Sequence, residues 1–437
     1  MLGPNIINHL KKDAEAVLRL NDMGDFTKPA PRLYPHQWNW DSVFNAIGWS
    51  HIDEERAWRE IDSLLRGQWK NGMVPHILFD TEVNDYHPGP DYWDTSSSFL
   101  TPDDVLTSGI TQPPLLTYGT WEVYRNSKDK EKAEEWLRSL YSRLLAYHTF
   151  LHTMRDLDGS GLAAIVHPWE SGQDNSPRWD GALKAIRMEW KPEYTRVDNT
   201  IIAGEQRPTD QDYDRYSTLV EVFRKLRYDP RRMWEESPFL VRPVLFNSVL
   251  LASDRCLKEM AEILGEDTGD IEIWIQAAES GISTKMWDEN SGLYFDIDLR
   301  CRAKIRKRTL AGFLPLFAGI PDEEGADRLV RSLLDSESFW PEGGYPYCTV
   351  SRKEAEFDPK NYWRGPIWIN MNWFIVKGLN HYGYKDKASY VIDRTLALVD
   401  RSGFFEYFHP MTGDGLGSDA FSWTASLVID LIENIQD

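Results

Sequence analysis

The segment His167–Asp180, HPWESGQDNSPRWD, sets two tryptophans, Trp169 and Trp179, among three carboxylates, Glu170, Asp174 and Asp180. Gly172, Asn175, Ser176 and Pro177 break any helical or strand period, so a loop is expected. Indole faces stack on the C–H faces of pyranose rings, and carboxylates hydrogen-bond their hydroxyls. A carboxyl against an apolar wall keeps its proton near neutral pH, because desolvation disfavours the charged form. These residue types suit a loop that grips a sugar ring and delivers a proton. A structural loop with aromatic anchors would use the same residues.

Seven more loops concentrate unusual content: Arg32–Asp41, Asn71–Ile77, Tyr86–Trp93, Ser108–Pro114, Gly204–Tyr216, Tyr362–Trp368 and Gly403–Pro410. Most mix aromatics with one or two polar or charged groups. Loops on a rigid scaffold commonly carry function. Glycoside hydrolysis needs one carboxylic acid to protonate the leaving oxygen. A second carboxylate acts as nucleophile or activates water. Asp174, between Gly172 and Pro177, is one candidate; its alternative is a turn carboxylate bonding nearby N–H groups. Glu406 is a lone acid in FFEYF. An ionised Glu buried there without hydrogen bonds would be costly, so a position open to water or substrate is expected. The alternative is a helix-end or turn carboxylate. Asp41 closes WNWD and could cap a helix starting at Ser42, bind sugar, or do both. Arg207 is the only base in Gly204–Gln211, and Arg364 sits between Trp363 and Gly365. Such guanidiniums are commonly salt-bridge partners, and they also fit a carboxylate bidentately.

Other chemistries lack support. His36, His76, His87, His167 and His409 fall in separate loops, with no H-E-x-x-H and no cysteine partners, so no metal or cofactor is expected. Asp156-x-Asp158-Gly-Ser-Gly starts like a calcium loop, but its twelfth position is His167 instead of Glu, so a plain turn is expected. There is no G-x-S-x-G, no P-loop and no G-x-G-x-x-G. A net charge of −20 argues against nucleic acid or an anionic membrane surface, while leaving room for a small anion held by a local arginine. Cys256, Cys301 and Cys348 have neither disulfide nor metal spacing. No run nears 18 apolar residues, and the N-terminus lacks an apolar signal core, so a cytoplasmic protein is expected. A homo-oligomer is compatible with all of this.

The scaffold that must hold these loops is helical. Ile7, Leu10, Ala14, Val17 and Leu18 form one apolar stripe; Ala57, Ile61, Leu64, Leu65 and Trp69 form another. Further helices are expected near 41–49, 113–126, 129–155, 210–227, 243–264, 270–286, 309–318, 323–335, 366–381, 386–401 and 421–435. One β signal, a hairpin around 293–307, follows the turn Asn290–Ser291–Gly292. About thirteen helices without a Pro/Ser/Gly linker predict an all-α toroid of helical hairpins in a single domain, residues 1–437.

The motifs YPHQWNWDS, QWKNGMVPHI, SGITQPP, HPWESGQDNSPRWD, QRP…DYDRY, YWRGPIW, and FFEYF followed by SWTA resemble glycoside hydrolase family 63. The likeness is greatest to its small bacterial members that hydrolyse mannosylglycerate or glucosylglycerate. It runs in the family's order from about residue 30 to 425. It implies an (α/α)6 barrel and an inverting reaction, with Asp174 matching the general acid, Glu406 the general base, and Asp180 neither. Trp38, Trp40, Asp41, Gln112, Trp169, Gly172 and Trp368 match positions that build the sugar pocket, with Tyr34 and His76 at its rim. Tyr86, Arg207, Tyr213, Tyr362 and Trp363 match positions that hold the glycerate or close over it. The resemblance therefore implies a small anionic glycoside as substrate. Glucosylglycerate-preferring members carry a Gln in the C-terminal loop where this chain has Phe421. The rival readings are a trehalase-like or oligosaccharide α-glucosidase, and a sugar-binding protein without catalysis. The latter would have no use for both Asp174 and Glu406.

Overall fold

The computed structural model describes residues 2–83, 86–188 and 194–434. Six inner segments pack side to side into a closed ring: Asn39–Ser50, Leu116–Asn126, Val244–Leu264, Leu310–Leu316, Ile369–His381 and Ser422–Glu433. Each is backed by an outer helix. In the same order these are Glu54–Arg66, Lys130–Met154, Gly269–Gly281, Glu323–Leu333, Lys385–Ser402 and, for the last, Pro4–Asn21. Five inner segments thus take the next long helix in the chain as partner. The sixth takes the first helix of the chain. The result is the all-α (α/α)6 barrel that the resemblance implied.

Burial separates the two layers. Every residue of Asn39–Ser50 is buried, and several of its polar side chains find partners in place. Ser42 Oγ donates to Glu60 Oε1 at 2.6 Å, and Asn45 Nδ2 to Thr27 O at 3.4 Å. Neighbouring inner helices come close: a Cβ added at Gly48 would lie 2.5 Å from Ser426 Cα. The outer helix Glu54–Arg66 is one-sided. It buries Ala57, Trp58, Ile61, Leu64 and Leu65, turns Glu55 and Arg66 to solvent, and is capped by Asp53, which accepts from Arg56 N at 3.0 Å. Between the second and third hairpins lie the loop His167–Asp180 and the helices Asp210–Lys225 and Pro230–Glu236.

Several expectations need correction. The segment 309–318 is a 3-10 helix at Leu310–Leu316, since Pro315 lacks the N–H an α-helix needs there. Pro230 opens a short further helix at its first position, where that N–H is dispensable. Asp41 caps nothing: the helix starts two residues earlier at Asn39, which leaves Asp41 in its first turn. The stretch 293–307 is more than a hairpin. Asp296–Asp298 pairs with Ala303–Ile305 and also with Val241–Arg242, while Leu293–Tyr294 pairs with Trp287–Asp288. Gln37–Trp38 pairs with Ile77–Leu78 and Tyr407–Phe408 with Gly415–Leu416, both too short to leave a period-two pattern. The Asp156 turn is as expected, its carboxylate taking the N–H groups of Ser160 and Gly161 at 2.9 and 2.7 Å. Among the described residues no helix is long and apolar enough to cross a membrane.

One histidine cluster escaped the sequence reading. His148 and His152, one turn apart on an outer helix, both meet Asp254 of the inner helix Val244–Leu264, at 2.6 and 3.0 Å. Burial raises the Asp254 carboxyl, but His152 and His148 outweigh it and hold the group at about 2. Such spacings are those of hydrogen bonds, and none of the three residues lines the cleft described next.

Candidate active site

The N-terminal ends of the inner helices Asn39–Ser50, Leu116–Asn126, Ile369–His381 and Ser422–Glu433 and the loops that precede them meet at one mouth of the ring. They enclose a cleft of about 660 Å³, lined by Tyr34, Trp38, Trp40, Asp41, His76, Tyr86, Gln112, Trp169, Gly172, Asp174, Arg207, Tyr213, Tyr362, Trp363 and Glu406. Of the residues that the resemblance assigned to the site, only Trp368 stays outside. It is 1% exposed, stacks flat on the far face of Trp363 at 3.7 Å, and donates its Nε1 to Tyr362 O at 3.0 Å. It therefore stiffens the wall and does not form its surface. Trp423 and Phe421 do line the cleft. Trp423 stands edge-on to Trp40 at 5.3 Å. Trp423 belongs to the SWTA motif but was not assigned to the site there.

The acids of the central loop separate by their partners. Glu170 is fully buried beneath the loop: Arg155 pairs with it, and the N–H groups of Val166 and Thr111 donate at 2.6 and 3.1 Å. Asp180 pairs with Arg364 at 3.3 Å. Together with Asn175, which accepts from Trp363 N at 3.0 Å and donates to Asn361 at 2.7 Å, that pair clips this loop to the Tyr362–Trp368 loop. Only Asp174 faces the cleft. Burial lifts its carboxyl to about 7, with Arg207 opposing and Glu406 adding to the rise. It therefore holds its proton through much of the neutral range.

Glu406 is 1% exposed and held at both oxygens. Tyr34 OH donates to Oε1 at 2.8 Å, and Ser418 N to Oε2 at 3.0 Å. Burial raises this carboxyl as well, against the pull of Arg207, Ser418 N–H, Tyr34 and Tyr362. Asp41, in the same cleft, is pushed well up by burial and then by Glu406 and Asp174. Three carboxyls share this space, and among the described residues Arg207 is the one guanidinium that lines it. Its Nη1 donates to Tyr34 OH at 2.9 Å and lies 3.6 Å from Glu406 Oε1, while its guanidinium covers the Tyr362 ring at 4.2 Å. Tyr362 itself has a φ of +36°, a strained geometry that non-glycine residues keep chiefly where surroundings impose it. Arg207 also lines an adjoining recess of about 330 Å³ with Tyr34, Tyr86, His87, Arg196, Asp198 and Tyr213.

Gly172 has a structural reason to be glycine. Its φ is +66°, and a Cβ there would lie 2.5 Å from Trp40 Cη2. Gly172→Ala is thus expected to displace Trp40 or the Asp174 loop, and a shift of about 1 Å can cost about 10²-fold in kcat/KM. Steady-state kinetics beside a thermal melt checks this; unchanged kinetics would mean the loop has slack.

A proton-holding acid and a firmly held second carboxylate, in an indole-walled cleft at the mouth of a helical toroid, mark the chain as a glycoside hydrolase. The family model described as "mannosylglycerate hydrolase MGH1-like glycoside hydrolase domain" matches residues 34–424, and the chain belongs to that family. It is 43% identical to a mannosylglycerate hydrolase of Thermus thermophilus over 95% of this chain and 99% of that one. It is 35% identical to a glucosylglycerate hydrolase of Mycolicibacterium hassiacum over 95% and 96%. The crystal structure of the family 63 mannosylglycerate hydrolase from Thermus thermophilus in complex with Tris and D-glycerate superposes with a TM-score of 0.91, at 43% identity, over 96% of this chain and 99% of that one.

Proposed function

We propose that this enzyme hydrolyses 2-O-α-glycosyl glycerates, mannosylglycerate ahead of glucosylglycerate, with inversion at the anomeric carbon. The observation that carries the reading is Arg207, a guanidinium 4% exposed, on the cleft wall beside Glu406 in a chain of charge −20. A neutral disaccharide such as trehalose gives a buried guanidinium no charge to meet; a glycerate carboxylate does. The preference for the mannoside rests on the higher identity to mannosylglycerate hydrolase and on Phe421 lining the cleft, where glucosylglycerate-preferring members carry Gln.

In this reading the hexose ring sits against Trp38, Trp40 and Trp169, with Asp41 and Gln112 at its hydroxyls. The glycerate lies toward Arg207, Tyr86 and Tyr213. Asp174 passes its proton to the glycosidic oxygen as the bond to the anomeric carbon breaks. Glu406, ionised and steadied by Tyr34 and Ser418 N–H, takes a proton from water on the opposite face of the ring. The water's oxygen bonds to the anomeric carbon, and the products are hexose and glycerate. Inversion requires the carboxyls to stand roughly 6.5–9.5 Å apart with the water between them.

The test is the first anomer released. Proton NMR in the first minutes after mixing with mannosylglycerate is expected to show β-mannose, followed by mutarotation. An initial α-anomer would mean retention and would overturn the assignment of Glu406 as base. Rates on both glycosides in the same assay decide the preference.

A further inference from the structure

We propose that Arg196, which lies outside the main cleft, keeps the charge of Arg207 available to an anionic aglycone by neutralising the carboxylate that lies between the two arginines. This rests on the glycosylglycerate reading above. The carboxylate is Asp198, 7% exposed. Arg196 grips it at two points, Nε to Oδ1 at 3.0 Å and Nη2 to Oδ2 at 2.6 Å. Arg207 reaches it by a single bond, Nε to Oδ2 at 3.1 Å, and Tyr213 OH adds another at 3.3 Å. Arg196 is absent from the main cleft's lining and borders only the adjoining recess.

The charge balance follows from that geometry. The two guanidiniums face three carboxylates: Asp198 between them, Glu406 at 3.6 Å from Arg207 Nη1, and the largely exposed Asp210 at 3.1 Å from Arg196 Nη1. The two-point grip assigns Asp198 to Arg196 and so relieves Arg207, at the cleft wall, of one of its two carboxylates. Without Arg196, Arg207 alone would answer both Asp198 and Glu406, and a substrate carboxylate would meet a wall with no positive charge to spare. Arg196 also has structural contacts: it donates to Pro208 O at 2.7 Å and Asp210 Oδ1 at 3.1 Å, and lies 3.9 Å over the Tyr213 ring. The experiment must separate the two roles. Arg196 is therefore a positioning and charge-balancing residue, removed from the reacting atoms.

The readout is the ratio of kcat/KM for mannosylglycerate to that for mannosylglycerol, the same compound without the carboxylate. In Arg196→Gln this ratio is expected to fall by about tenfold or more, the worth of one charge-assisted contact. Arg196→Lys keeps the charge and should keep most of the ratio. Arg196→Gln combined with Asp198→Asn removes both opposing charges and should restore much of it, since the amide oxygen of the new side chain can still accept from Arg207. Equal losses on both substrates in Arg196→Gln, with no recovery of the ratio in the double variant, would overturn the inference and leave Arg196 a loop brace. The same holds if Arg196→Lys loses the ratio as fully as Arg196→Gln. A parent enzyme with no preference for the anionic substrate would overturn the glycosylglycerate reading itself.

Discussion

Asp174→Ala and Glu406→Ala are each expected to lower kcat by about 10²–10⁴-fold, the range of general acid–base terms, while substrate binding largely survives. Asp174 and Glu406 both line the cleft, so truncation removes the proton donor or acceptor and leaves the indole walls standing. The control lies six residues away in the same loop. Asp180 pairs with Arg364 on the outer side of that loop, so Asp180→Ala should cost far less activity. If a folded Asp180→Ala enzyme is as inactive as Asp174→Ala, the assignment within the loop fails. The pH profile adds a signed expectation. The general acid must be protonated, and burial lifts Asp174 to about 7. The kcat/KM of the free enzyme should therefore decline as pH rises through about 7. An alkaline limb that begins several pH units higher would assign the proton to another group.

The second large effect is expected at Arg207. Charge-assisted hydrogen bonds to a carboxylate are worth roughly 1.5–3 kcal/mol. Arg207→Ala should cost about 10–150-fold in kcat/KM on mannosylglycerate, since about 1.4 kcal/mol is tenfold. It should change little on mannosylglycerol. Arg207→Lys should recover only part, because an ammonium cannot make the planar two-point contact. Arg207 holds down both Asp174 and Glu406. Its loss should move both limbs of the pH profile to higher pH, so the two substrates are to be compared at each enzyme's own optimum. Equal losses there would show that Arg207 braces the loop and does not read charge.

Much of the scaffold was legible because a buried helix leaves a periodic trace. Glu54–Arg66 shows its stripe and its Asp53 cap directly in the chain. What the period cannot show is the kind of helix that Pro315 permits, or ribbons two residues long such as Gln37–Trp38. The site was legible in its residue types. Which acid does what was not written locally. Glu170, Asp174 and Asp180 share one loop, and they are sorted by Arg155 beneath it, Arg207 across the cleft and Arg364 on another loop. Those partners are fixed only when the ring is closed. Trp368 and Trp423 show the same limit: two indoles at the starts of neighbouring inner helices, one behind the wall and one on it. The resemblance to family 63 named the acid and the base, where spacing alone left each open.

The last inner helix of the ring, Ser422–Glu433, takes its outer partner from Pro4–Asn21, at the far end of the chain. The other five hairpins are local in sequence and can form as they leave the ribosome, whereas this one joins Pro4–Asn21 to Ser422–Glu433, with the rest of the ring between them. Until residue 422 and beyond have emerged, the helix Pro4–Asn21 has no surface on which to bury Leu10, Ala14 and Leu18. During that interval the nascent chain carries an exposed apolar stripe and an open ring. Glu406 and Trp423 belong to the same late segment, so the cleft gains its last wall only when the ring shuts.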